Sequence, residues 1–89
     1  MVLKKRDAVW DPMFREDLAH WVGRDSAVAI RLMNLVEAII QDPLHGIGKP
    51  EPLRYSLEGS WSRRLTYEHR LVYVVKQESI YFLQARFHY

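Results

Sequence analysis

The chain has no cysteine. That absence removes a disulfide framework, a thiolate nucleophile and any cysteine-based metal site, and it is compatible with a reducing cytoplasm. An excess of one charge is also missing: 13 lysines and arginines against 11 aspartates and glutamates leave a formal net charge of +2, too little to argue by itself for a polyanionic partner. No long apolar run is present. Met1-Val2-Leu3-Lys4-Lys5-Arg6 is basic but passes into Asp7 and mixed polarity, so neither a signal peptide nor a membrane span is expected. His20, His45, His69 and His88 include no pair one helical turn apart, so no metal site and no cofactor are expected. A serine nucleophile elbow is absent as well. Gly46-Ile47-Gly48-Lys49 lacks the full spacing of a phosphate loop and follows no strand, which excludes a nucleotide cradle of that kind.

What is present is enough for one folded domain over residues 1–89. The 48% hydrophobic and 27% charged residues lie within the ordinary globular range. A chain of 89 residues is near the lower end of sizes that bury a self-sufficient core, so its apolar stripes are needed for packing.

Ala8–Trp10 reads as a first or edge strand. Asp11-Pro12 then opens a helix, since the aspartate accepts from free amides of the first turn and proline at the first helical position loses no needed donor. Phe14, Leu18 and Trp21 follow at helical spacing until Gly23. Asp25 or Ser26 caps a second helix, on which Val28, Leu32, Leu35, Val36 and Ile39 make one stripe. It stops near Asp42, because Pro43 disfavours helical geometry in the residue before it. Residues 43–52, with three prolines and two glycines, form a stiff connector.

Beyond the connector the period is that of strands, expected at Leu53–Leu57, Ser60–Thr66, His69–Val75 and Ile80–Phe87. The third is apolar on both faces and is expected at the centre of the sheet. Two helices followed by an antiparallel meander give an α+β fold, with the helices packed on one face of a small antiparallel sheet.

Metal-free cleavage of a phosphodiester through a neighbouring hydroxyl needs a base, cations for the charge on phosphorus-bound oxygens, and an acid for the leaving oxygen. Glu51 is the carboxylate whose backbone is most restrained, because Pro50 and Pro52 flank it. Taken on spacing alone, it is more simply a polar residue of a proline-rich turn. His88, a residue type that titrates near neutrality, suits an acid, although alone it reads as an exposed terminal histidine. Strand alternation places Arg70 with Val72 and Val74, and His88 with Arg86, Gln84 and Phe82; antiparallel pairing of the last two strands then sets Arg70 beside His88. Arg64 and Arg70 flank one strand connection and are expected on one surface. Tyr55, Trp61, Tyr67, Phe87 and Tyr89 interleave with the basic residues, a pattern that suits base stacking; core packing is the simpler use for all but Tyr89.

Asp42-Pro43-Leu44, Gly48-Lys49-Pro50-Glu51-Pro52-Leu53, Trp61-Ser62-Arg63-Arg64, Glu68-His69-Arg70-Leu71-Val72-Tyr73 and Arg86-Phe87-His88-Tyr89 together resemble the YoeB/Txe toxins of the RelE superfamily, from about Trp10 to the end of the chain. The resemblance implies a bacterial type II toxin, an mRNA interferase acting in the ribosomal A site and neutralised by a YefM-like antitoxin, dimeric and able to form a toxin–antitoxin heterotetramer. It implies Glu51 as general base, His88 as general acid, and Arg64 and Arg70 as phosphate and transition-state ligands. Lys49, Arg54, Arg63 and Tyr89 are then expected to bind substrate. Phe87, His45, Ile47 and Tyr67 depart from residues common in the family and bear on codon preference and ribosome contacts. A non-catalytic module that blocks translation by occupying the A site is the alternative.

Overall fold

The computed structural model describes residues 5–54 and 58–87. Its elements run β1 (Asp7–Trp10), α1 (Pro12–Arg24), α2 (Ser26–Gln41), β2 (Glu51–Pro52), β3 (Ser60–Arg64), β4 (Arg70–Val75) and β5 (Ser79–Gln84). The two helices lie against a five-stranded sheet of order β1-β5-β4-β3-β2. Four strands form the expected antiparallel meander, but β1 joins β5 in parallel, so the sheet is mixed. The strand expected at Leu53–Leu57 is displaced: Glu51–Pro52 is the paired segment, opposite Ser62 and Trp61, and residues 55–57 lie outside the described residues.

Both helix starts follow from their aspartates. Asp11 accepts from the Met13 amide at 2.9 Å with Pro12 behind it. Asp25 ends α1, its own amide donating to the Trp21 carbonyl at 2.8 Å, and caps α2 by accepting from the Ala27 and Val28 amides. One residue thereby supplies partners at both helix ends, where backbone groups otherwise lack them. Leu32, Leu35 and Ile39 of α2 meet Phe14 and Trp21 of α1, and both helices bury these side chains against Leu71 and Tyr73 of β4 and Ile80 and Phe82 of β5.

Because side chains alternate across a strand, burying Leu71 and Tyr73 under the helices turns Arg70, Val72 and Val74 to the opposite face. β4 is the middle strand and carries apolar residues on both faces, as its composition implies. Asp17, 8% exposed, sits among the apolar residues of α1 and accepts from the Ala85 amide at 2.9 Å, while Trp21 Nε1 donates to the Ala85 carbonyl at the same distance. A buried carboxylate is tolerated only with such partners. These two bonds fix the chain just past β5.

Tyr73 reports on the same core. Burial pushes its phenol above the ordinary tyrosine value, and the hydroxyl donates to the Pro43 carbonyl at 2.7 Å. A raised native value keeps the stabilising neutral form intact below the unfolded value of about 10 and loses its contribution as pH rises through the native value. Tyr73→Phe should therefore cost about 1 kcal/mol at pH 7 by denaturant unfolding, and the gap to the parent should shrink above roughly pH 10.

Candidate active site

The face of the sheet turned from the helices gathers the polar residues. Across it, Glu51 of β2, Ser62 of β3, Val72 of β4 and Gln84 of β5 occupy successive register positions in one row, and Arg64 and Arg70 oppose each other in the next. Arg70 Nη1 lies 3.9 Å from Glu51 Oε2 and donates to Ser62 Oγ at 3.3 Å. The side chains are 25% and 56% exposed for Arg70 and Glu51, so the arginine is held in the sheet surface while the carboxylate reaches outward.

Two arginines directly opposite on adjacent strands repel each other, a cost of a few tenths of a kcal/mol to about 1 kcal/mol that a bound anion removes. Among the described residues Arg64 has no carboxylate partner. Its backbone is fixed on two sides: its amide donates to the Gly48 carbonyl at 2.6 Å, and its own carbonyl accepts from Arg31 Nη2 at 3.1 Å. Arg31 Nε also donates to the Leu65 carbonyl at 2.7 Å, so a helix residue anchors the end of β3.

The connector delivers Glu51 from the other side. Gly46, Gly48 and Lys49 all take positive φ, at 125°, 83° and 51°. Lys49 is exposed in the left-handed region, next to Pro50, and Arg54 is exposed just beyond β2. At the far end of the site the Arg70 amide points to the Phe87 carbonyl at 3.4 Å. The last described residue therefore abuts Arg70, as antiparallel pairing implies, although β5 ends at Gln84 rather than Phe87. A register shift between Val72 and Tyr73 leaves Phe82 under the helices, on the opposite face from Gln84. His88 and Tyr89 follow it and lie outside the described residues, as does Tyr55.

Arg63 corrects the sequence reading. Expected among the substrate-binding residues, it is fully buried and donates instead to the Tyr73 hydroxyl and to the carbonyls of Ile47, Asp42 and His45. No surface remains on it for a phosphate. Of the aromatics, Trp61 packs against the core, whereas Tyr67 and Phe87 are exposed.

Ser62, fully buried, is the site residue that the sequence reading passed over. Alternation carried the signal, since residues 62 and 64 share a face of β3. Removing the Ser62 hydroxyl leaves Arg70 without that acceptor; Ser62→Ala should lower a rate that depends on Arg70 by about fivefold, measured under single turnover. Among the described residues no three His, Asp or Glu side chains are grouped as a metal ion would need, and no helix is long and apolar enough to cross a membrane.

Residues 10–89 match the family model of YoeB-like toxins of bacterial type II toxin–antitoxin systems. Toxin RelK of Mycobacterium tuberculosis is 45% identical over 84 residues, covering 94% of this chain and 99% of that protein. The YoeB/ParE toxin from Agrobacterium tumefaciens superposes with a TM-score of 0.88 at 36% identity, over 93% of this chain and 99% of the other. The YoeB dimer from Staphylococcus aureus gives a TM-score of 0.87 at 33% identity, over 97% of this chain and all of that one. A heterotetrameric YoeB–YefM toxin–antitoxin complex from S. aureus superposes with a TM-score of 0.82 at 33% identity, over 97% of this chain and 100% of that chain. With the family model spanning all but the first nine residues and whole-length relatives well above 30% identity, the chain belongs to the YoeB-like toxin family of bacterial type II toxin–antitoxin systems.

Proposed function

We propose that the protein is a metal-independent endoribonuclease toxin that cleaves mRNA in the ribosomal A site, in the cytoplasm, with the whole chain serving as one toxin domain. The observation that carries this reading is the convergence of Glu51, Arg70 and Arg64 on the open face of the sheet, with Arg70 Nη1 3.9 Å from the Glu51 carboxylate.

In this reading Glu51 removes the proton from an RNA 2′-hydroxyl, and the resulting oxygen attacks the adjacent phosphorus. Arg64 and Arg70 stabilise the charge that gathers on the non-bridging oxygens, for which fixed cations in a water-poor site are suited. The bond from phosphorus to the 5′ oxygen breaks, and His88 gives that oxygen a proton. The products are a 2′,3′-cyclic phosphate and a 5′-hydroxyl. Lys49 and Arg54, exposed on either side of Glu51, contact the RNA backbone, and Tyr89 stacks on a base. The ribosome supplies what a shallow, half-exposed site lacks: a held substrate and exclusion of water.

S. aureus relatives have been solved as a YoeB dimer and as a heterotetramer of YoeB with YefM, and a homodimer neutralised by a YefM-like antitoxin is the corresponding assembly here. The test is addition of purified protein to programmed ribosomes in the presence of a chelator, with and without a YefM-like antitoxin. Cleavage confined to the A site, unaffected by chelation and abolished by antitoxin, is expected. Stalled ribosomes carrying intact mRNA would instead favour a module that acts by occupancy.

A further inference from the structure

Arg63 is a charge buried without a counter-charge: among the described residues no carboxylate lies within ion-pair distance of it. Four hydrogen bonds replace that partner. Nη2 donates to the Asp42 carbonyl at 2.6 Å and the His45 carbonyl at 2.9 Å, Nη1 to the Ile47 carbonyl at 3.1 Å, and Nε to the Tyr73 hydroxyl at 3.1 Å. Tyr73 passes the chain of bonds on to the Pro43 carbonyl.

The acceptors all belong to the connector or hold it. Residues 42–50 have no ladder of their own, and their inward carbonyls need donors from elsewhere. Asp42 also closes α2, whose C-terminal end favours a cation. The connector lies close against Arg63: a Cβ on Gly46 would stand 3.1 Å from Arg63 Nη1, and one on Gly48 3.2 Å from Arg63 Cβ and 2.9 Å from Leu35 Cδ2. From the last stapled carbonyl, Ile47, only three residues lead to Glu51, one of them proline. Arg63 is also the chain neighbour of Ser62, the register partner of Glu51.

We propose that Arg63 is a positioning residue for the Glu51 carboxylate: by stapling the connector at residues 42, 45 and 47 it sets where the carboxylate stands relative to Arg70. The inference rests on the catalytic reading of Glu51 given above. It assigns Arg63 a part in the reaction that the substrate never touches, and it explains why a cation with a fork of donors occupies the core. A lysine in its place keeps the charge but cannot reach four acceptors arrayed around a planar group.

The experiment compares Arg63→Lys, Tyr73→Phe, Glu51→Gln and the double variant Arg63→Lys/Glu51→Gln in the full chain. Single-turnover cleavage on programmed ribosomes and amide hydrogen exchange of residues 44–49 are read on each, after thermal unfolding shows which are folded. Arg63→Lys is expected to speed connector exchange about tenfold or more and to slow cleavage about tenfold or more. Tyr73→Phe keeps the ring and shifts both in the same direction by less, and it carries the test if Arg63→Lys does not fold. The double variant should cleave no more slowly than Glu51→Gln alone, because a misplaced carboxylate matters only while it is there. A folded Arg63→Lys with parental exchange and rate, or losses that multiply in the double variant, would overturn the proposal. If Glu51→Gln itself cleaves like the parent, the base assignment and the positioning role built on it fail, and the exchange rates still decide separately whether Arg63 staples the connector.

Discussion

Glu51→Gln is expected to lower single-turnover cleavage of ribosome-bound mRNA by roughly 10²-fold or more, the scale on which acid–base groups act. The substitution keeps size and hydrogen-bonding capacity but removes a group able to accept the 2′-hydroxyl proton. Its structural cost is small, since the side chain is 56% exposed and its interaction with Arg70 spans 3.9 Å. Exposed ion pairs of this kind contribute about 0–1 kcal/mol, so the thermal transition should barely move. A large loss of rate with an unchanged unfolding transition separates chemistry from folding. His88→Gln should give a loss of similar size, roughly 10²-fold or more, through failure to protonate the leaving oxygen.

Arg70→Ala is the second large effect, with an expected loss of about 10²–10³-fold in the same measurement. Arg70 stands where three parts of the site meet: beside Glu51, in hydrogen-bond reach of Ser62 Oγ, and opposite Arg64 in the strand register. Its amide also faces the Phe87 carbonyl, immediately before the proposed acid. Arg70→Lys should recover only part of the rate, because an ammonium keeps the charge but not the planar fork that matches two phosphate oxygens. Equal rates for the lysine and arginine forms would reduce Arg70 to a point charge. Full activity of the alanine form would remove it from the site.

The helices could be read in the sequence because their signals are local. Asp11-Pro12 and Asp25 satisfy amides two or three residues away, and the stripe on α2 needs only a helical period to be seen. β4 was likewise legible as the central strand, since a strand apolar on both faces has to be covered on both. The parallel pairing of β1 with β5 was not, because alternation in a four-residue strand says nothing about a partner some 70 residues away or its direction. β2 was misplaced for a related reason. A strand made of Glu51 and Pro52 has no β-branched residue to announce it, and proline is tolerated there only because the strand lies at the sheet edge.

The site divides in the same way. Arg64 and Arg70 were placed on one surface because they flank one strand connection of the meander, and the register sets them opposite each other. Arg63 was misassigned because its charge was weighed above its parity. Alternation puts it with Trp61 and Leu65, on the face that the helices cover. What overrides the usual cost of burying a guanidinium is the connector itself, whose prolines and glycines leave carbonyls that no ladder satisfies. That demand arises only once the connector is folded against β3, so it has no local signature.

The measurement that bears most directly on the central claim is the mapping of cleavage on a defined ribosome-bound mRNA, with chemical identification of both new ends. The account predicts a cut within the A-site codon that leaves a 2′,3′-cyclic phosphate on the upstream fragment and a 5′-hydroxyl on the downstream one. Intact mRNA on stalled ribosomes, or fragments ending in a 3′-hydroxyl and a 5′-phosphate, would contradict it.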